Sequence, residues 1–154
     1  MILRGAEATR YFAKPDPARA GLLIFGADTM RVALRRQEVV LAMIGPHGTN
    51  EMRLTRISGA ELRKDAALVS DAMRASGFFP GPRAVLVEDA TDGLAPTILA
   101  ALTDWRPGDA QIVATAGALT AKSALKTLFE KHLKAVCIGL YNNPPTRAEI
   151  ESEL

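Results

Sequence analysis

The sequence lacks the features of a disulfide-stabilised or membrane-inserted protein. Its 154 residues include one cysteine, Cys137, so an internal disulfide is excluded. No stretch approaches the roughly 18 continuous apolar residues that a membrane-spanning helix needs. Residues 1–14 also lack the basic, apolar and small-residue zones of a signal peptide. We therefore expect a cytoplasmic protein, with Cys137 as a small buried hydrophobe in the apolar run 135–140.

A strong charge of either sign is also absent. The chain carries 19 basic and 17 acidic residues, for a net charge of +2. This balance gives no general attraction to nucleic acid or to anionic lipid. The 48% of apolar residues is enough for one domain with its own core, and a second full domain would be cramped.

What the sequence does contain is an alternation of short apolar runs with longer amphipathic ones. The pattern predicts strands at 22–25, 52–57, 84–87, 112–114 and 136–140, with the second at a sheet edge. It predicts helices at 29–44, 66–76, 94–105 and 123–132. Strands separated by helices pair in parallel through right-handed crossovers. The predicted fold is therefore α/β, a three-layer α/β/α sandwich around a five-stranded, mostly parallel sheet.

Local signals fix several helix ends and faces. Asp28 or Thr29 is expected to cap the first helix, and Asp65 the second. Gly77 is well placed to end the second helix in the left-handed conformation. The residues expected to face the core are Val32, Val39, Val40 and Met43 in the first helix, and Leu68, Val69, Ala72 and Met73 in the second. Trp105 is expected to pack at the end of the third helix.

Two loops after predicted strands lie where the phosphate-binding pattern G-x-x-x-x-G-K-[ST] would be expected. The loop at 26–31 has no second glycine, no lysine and no following serine or threonine. The loop at 116–123 matches at Lys122 and Ser123, but Ala116 and Ala121 replace both glycines. Alanine is strained at positive φ and blocks close approach of a phosphate. Neither loop is expected to bind ATP, and Lys122, Lys126 and Lys131 are expected to be surface charge.

Glu88 and Asp89 follow the third predicted strand and leave a second possibility open. Asp89 could be the acceptor of a phospho-accepting receiver domain, with Thr115 at the switch position. That pattern also needs an acidic pair after the first strand and a lysine after the fifth. Here the corresponding places hold only Asp28 and the tripeptide YNN at 141–143. The favoured interpretation is that Glu88 and Asp89 cap a helix or solvate a loop.

Residues for other chemistry are missing. His47 and His132 lie in unrelated contexts, and no His, Cys or Asp cluster has the spacing of a metal site. No G-x-S-x-G element is present. We expect no catalytic residue, no cofactor and no metal.

The most distinctive stretch is GFFPGPR at 77–83. Two adjacent aromatic residues follow a helix terminator and precede a proline-stiffened turn. Adjacent side chains in an irregular segment rarely both point into one core, and an exposed aromatic on a stiff support typically anchors a protein interface. Packing of both rings in the core is the alternative that the pattern alone favours.

Four stretches together resemble the delta subunit family of the bacterial DNA polymerase III clamp loader. They lie at 21–29, 77–89, 115–130 and 135–153, and their order and spacing cover nearly the whole chain. The resemblance implies a degenerate AAA+ or P-loop-like domain without a functional Walker motif. It implies a role in DNA replication within the polymerase (nucleotidyltransferase) holoenzyme, without intrinsic catalysis. An active P-loop ATPase and a receiver-like signalling domain are the alternatives.

The resemblance also implies how the protein contacts its partners. In the family, the aromatic pair and the helix before it insert into a hydrophobic pocket of the sliding clamp (beta). The matching positions here are Phe78 and Phe79, with Met73, Gly77 and Pro80 beside them. The family often has an aliphatic residue before the second Phe, and Phe78 takes that position here.

The end of the sequence fits a longer protein. Thr146 and Glu149 form a capping box that starts a helix, although a short terminal helix would give the same pattern. By resemblance, residues 1–144 are the clamp-binding ATPase-like domain, and 145–154 begin the linker helix to a lid domain absent from this chain. Missing C-terminal domains would bind the other clamp-loader subunits, gamma/tau and delta prime. DNA would be contacted in the assembled complex.

Overall fold

The computed structural model of the chain describes residues 1–16, 18–46, 53–74, 82–120 and 122–140. The elements in chain order are α1 Gly5–Ala13, β1 Gly21–Phe25, α2 Thr29–Ile44, β2 Leu54–Ser58, α3 Gly59–Lys64, α4 Ala67–Arg74, β3 Ala84–Glu88, α5 Ala95–Asp104, β4 Gln111–Ala116, α6 Ala124–Lys131 and β5 Ala135–Gly139. A 3-10 turn, Asp92–Leu94, leads into α5. Within these ranges, no helix is both long enough and apolar enough to cross a membrane.

The five strands form one sheet in the order β2-β3-β4-β1-β5. All four pairings are parallel. Each strand is joined to the next through one or more helices, as parallel pairing requires. The predicted five-stranded sheet is therefore confirmed, and among the described strands it is wholly parallel. β2 lies at an edge, as its alternating pattern predicts.

Helices cover both faces of the sheet, which confirms the predicted α/β class. Leu22 and Ile24 of β1 pack into one apolar cluster, with side chains of α1 and α2. Leu23 and Phe25 pack into a second cluster, with side chains of α4, α5 and α6. Successive residues of a strand point to opposite faces, so the two clusters lie on opposite sides of the sheet. The layering agrees with an α/β/α sandwich.

The strongest local signals match the structure closely. α2 begins at Thr29 with Asp28 as its N-cap, and its predicted core face is buried. Ser123 caps α6. Trp105 is the C-cap of α5, and its indole N–H donates to the Ala110 carbonyl at 3.0 Å. Cys137 is buried as predicted, and burial raises the pKa of its thiol to about 12.

Two helices were not predicted. α3 begins with a capping box, in which Ser58 and Glu61 fit the S-x-x-E signal. The predicted strand ends at Ile57, one residue before this signal, and no helix is predicted directly after it. α1 has only Ala8, Tyr11 and Phe12 on its buried side, which is little periodicity to detect. The predicted helix 66–76 corresponds to α4, which begins at Ala67. Asp65 is the C-cap of α3, and its carboxylate accepts from the Ala67 amide at 3.1 Å. Gly77, its predicted terminator, lies outside the described residues.

His132 gives the fold a testable pH dependence. Its Nδ1 accepts a hydrogen bond from the Lys134 amide at 3.1 Å, which requires a neutral ring. Burial lowers the pKa of His132, and the positive charges of Lys134 and the Met1 amino group act in the same direction. The unfolded state therefore binds the proton more readily, so stability from His132 is complete above its unfolded pKa of about 6.5 and is lost as pH falls through the lower folded pKa.

We expect the wild type to lose more free energy of unfolding between pH 7.5 and 5.0 than His132→Asn, measured by urea denaturation. Asparagine keeps an acceptor near the Lys134 amide and does not titrate. His47 is present in both proteins and cancels in the comparison. An equal loss in the two proteins would contradict the assignment.

Candidate functional site

The carboxyl edge of the sheet is the first place to look for a ligand site. In open α/β sheets, ligands bind in crevices beyond the carboxyl ends of the strands. Here backbone hydrogen bonds tie those ends together. The Gly26 amide donates to the Ala116 carbonyl at 3.3 Å, and the Leu140 amide donates to the Phe25 carbonyl at 2.7 Å. The end of β5 therefore closes against the end of β1.

In the loop after β1, an aspartate carboxylate binds the backbone amides that a nucleotide phosphate would need. Asp28 accepts from the amides of Met30 at 3.1 Å and Arg31 at 3.2 Å. Those amides form the N-terminus of α2, the part of a helix that attracts phosphates. Gly26 packs so tightly on Leu140 that a Cβ would overlap the Leu140 carbonyl oxygen. A phosphate at this position would be repelled by the Asp28 carboxylate and would be kept out by the close contact of Gly26 with Leu140.

The polar groups of the loop before α6 likewise bind other groups of the protein. Ser123 is 3% exposed, and its hydroxyl donates to Asp92 in a short hydrogen bond. Asp92 also accepts from the Leu125 amide at 3.2 Å, so two residues cap one helix. Ser123 therefore acts as an N-cap, while Lys122 beside it is exposed.

Lys126 is not the surface charge that the sequence predicts. Its side chain is 16% exposed and pairs with Glu130 at 3.5 Å. Its Nζ also lies 5.9 Å from the centroid of the Phe25 ring, a cation–π distance. The prediction failed because Phe25 comes from β1, about a hundred residues earlier in the chain.

Glu88 joins three elements, which corrects the prediction that it caps a helix or solvates a loop. Its carboxylate accepts from Arg36 of α2 at 3.2 Å and from Arg56 of β2 at 2.9 Å. A cation at this carboxylate would have to displace two guanidinium groups. In the described parts of the chain, no three His, Cys, Asp or Glu side chains gather in a way that could hold a metal ion.

The sheet order contradicts the receiver alternative. Receiver domains share the flavodoxin-like order 2-1-3-4-5. Here β1 lies between β4 and β5, and β3 separates β2 from β4. Thr115, the residue expected at the switch position, is buried at 7% exposure.

The residues expected to bind a partner adjoin a firmly packed helix. Met73, one of these residues, is fully buried in the core at 0% exposure, so its side chain supports α4 from within and is not part of an accessible surface. Gly77, Phe78, Phe79 and Pro80 lie outside the described residues. What the structure does define is how the chain enters and leaves the segment 75–81.

Both ends of that segment are tied to the core. On the α4 side, the Met73 carbonyl accepts from the Ala110 amide at 2.9 Å. On the β3 side, the Pro82 carbonyl accepts from the buried guanidinium of Arg53 at 3.0 Å. The Arg83 carbonyl accepts from the Gln111 amide at 3.1 Å. The described residues on both sides of the segment 75–81 are therefore hydrogen-bonded to other parts of the domain.

We expect Asp28→Ala to lower the free energy of unfolding by about 1 kcal/mol, because two amides at the start of α2 lose their acceptor. Asp28→Asn keeps one acceptor oxygen and should lose less. Urea denaturation of the three proteins at pH 7.5 measures the difference. Equal stability of wild type and Asp28→Ala would show that the cap contributes nothing.

Comparison with protein-family models gives no match, and comparison with curated proteins gives none either.

Proposed function

We propose that this chain is the clamp-binding domain of a delta-type subunit of the bacterial DNA polymerase III clamp loader. In this proposal the segment 75–81 presents Phe78 and Phe79 to a hydrophobic pocket on the sliding clamp. The domain holds the clamp open without hydrolysing ATP. It acts in the cytoplasm, with its partner subunits and DNA.

The observation that carries the proposal is the anchoring of that segment. Val69 and Met73 fix the inner side of α4 in the core, both at 0% exposure. Hydrogen bonds from Ala110 and Arg53 hold the residues on either side of the segment. A wedge needs such a support, since a flexible loop would pay the entropy of ordering its side chains on binding.

A second observation concerns the loops before α2 and α6, which lie at the carboxyl edge of the sheet. Asp28 occupies the amides of α2, and Asp92 occupies those of α6. An α/β domain in which the N-termini of α2 and α6 are capped internally fits a subunit that takes no nucleotide itself. Partner subunits that do bind ATP would then control access to the wedge.

The wedge needs only two side chains to work. Burial of each aromatic ring in an apolar pocket supplies about 1.5–3 kcal/mol of transfer free energy. If the pocket accepts the wedge better when the clamp interface is open, binding shifts the clamp towards its open form by that difference in affinity. Energy from ATP is then needed only to release or expose the wedge.

We expect Phe78→Ala combined with Phe79→Ala to weaken binding to the sliding clamp by at least about a hundredfold, because two buried rings together supply more than 2.8 kcal/mol, roughly two factors of ten. Isothermal titration calorimetry or surface plasmon resonance with the sliding clamp measures the loss of affinity. The thermal unfolding midpoint should not fall.

The matched control is Leu99→Ala combined with Leu133→Ala. These leucines are 43% and 89% exposed, and they lie on α5 and between α6 and β5, outside the segment 75–81. The control should bind the clamp like the wild type. Wild-type affinity in the double phenylalanine variant would refute the proposed site.

Mg-ATP should leave the thermal unfolding midpoint unchanged at concentrations up to several millimolar, because the amides that would hold its phosphates already bind Asp28. A ligand that binds only the folded state must raise the midpoint. A saturable, concentration-dependent rise would instead favour an active P-loop ATPase.

A further inference from the structure

Residues 1–3, which we call the edge segment, add a short extended stretch to the outer side of β5. Ile2 pairs with Cys137 in a parallel bridge. The Leu3 amide donates to the Cys137 carbonyl at 3.1 Å, and the Cys137 amide donates to the Met1 carbonyl at 2.8 Å. β1 pairs with the other side of β5. The edge segment therefore covers the side of β5 that faces away from the sheet.

The amino group of Met1 holds the start of the edge segment. It donates to the carbonyls of Ala135 at 2.9 Å, Glu130 at 3.2 Å and Phe129 at 3.4 Å. The bond to Ala135 continues the hydrogen-bond ladder along β5. The other two carbonyls are among the last four of α6, which have no further helical turn to donate to them. The amino group therefore ties the edge segment to β5 and to α6 at once.

The number of donors on this nitrogen depends on what is attached to it. A protonated amine has three N–H groups, and a neutral amine has two. The nitrogen of an amide has only one. That single N–H can keep the ladder bond to Ala135, so both contacts with α6 would be lost. The same loss follows from any group that is joined to the nitrogen through an amide bond.

The Met1 amine is placed and tuned for such a reaction. Met1 is 41% exposed, and the Arg19 guanidinium lies 3.8 Å from its sulfur. Partial burial of the amino group and the positive charge of Arg19 lower its pKa. Near neutral pH, more of this amine is therefore in the neutral, nucleophilic form than of a lysine amine, whose usual pKa is about 10.4.

We propose that the amino group of Met1 is a modification site, at which attachment of a small acyl group loosens the edge segment and uncovers Cys137. The group is a formyl or acetyl group from an activated acyl donor such as a thioester. A C–N bond forms at the Met1 nitrogen, the bond from the acyl carbon to the leaving group of the donor breaks, and the amine releases a proton. The proposal concerns the outer edge of β5 and does not depend on clamp binding.

The thiol of Cys137 reports the opening, because it is the single cysteine of the chain and is 1% exposed. The full 154-residue protein is acetylated with a limiting amount of an active ester at about pH 6.5. Mass spectrometry of the N-terminal peptide confirms that Met1 carries the group. Reaction of the thiol with a chromogenic aromatic disulfide is then followed at pH 7.5. The acetylated protein should react at least about threefold faster than the unmodified one, because two hydrogen bonds no longer oppose local opening.

Leu3→Pro is the matched control. Proline has no N–H, so the ladder bond to the Cys137 carbonyl is lost and the edge segment is loose without any acylation. Cys137 should react faster in Leu3→Pro than in the wild type, and acetylation of the variant should give no further increase. Far-ultraviolet circular dichroism checks that the variant is folded.

Amide hydrogen exchange gives an independent measurement without a substitution. The Cys137 amide, which donates to the Met1 carbonyl, should exchange at least about threefold faster in the acetylated protein. The Leu140 amide donates to Phe25 of β1, on the inner side of the same edge, and should keep its rate.

Three results would overturn the proposal. The first is equal thiol reactivity and equal exchange of the Cys137 amide in the acetylated and unmodified proteins. The second is a folded Leu3→Pro protein in which Cys137 reacts no faster than in the wild type, or in which acetylation speeds the reaction as much as in the wild type. The third is equal acceleration of exchange at Cys137 and Leu140, which would indicate a loss of stability of the whole domain instead of an opening at its edge.

Discussion

The central strands β1 and β4 bury every one of their residues, and this two-sided burial determines how the rest of the chain is arranged. A parallel strand with both faces in the core needs helices on both sides of the sheet. α1 and α2 supply one layer, and α4, α5 and α6 supply the other. Each crossover also returns the chain to the same edge, so every loop that follows a strand lies at the carboxyl end.

That edge is where the fold would usually bind a ligand, and here it is used for internal contacts. Asp28 caps α2, Asp92 caps α6, and Glu88 binds one arginine from α2 and one from β2. Each acidic group thus neutralises a helix terminus or a cation of the protein. At the opposite edge, the residues that flank the segment 75–81 are also bound internally, through the carbonyls of Met73 and Pro82.

The sequence could predict those parts of the fold that depend on neighbouring residues. The strands, α2 with its Asp28 cap, and α6 follow from apolar periodicity and capping chemistry. The pairing of Glu88 with Arg36 could not be predicted, because 52 residues separate them and only the sheet order brings them together. Met73 shows the same limit. The family resemblance implied a partner contact for Met73, whereas its helical phase placed it inward, and the structure confirms the inward position.

The helical phase of its residues places apolar side chains on two sides of α2, but only one of these sides packs on the sheet. Leu34 falls at the same phase as Met30 and Leu41, and none of the three is needed to cover the sheet. α2 lies on one side of the sheet, whereas α4 belongs to the other layer.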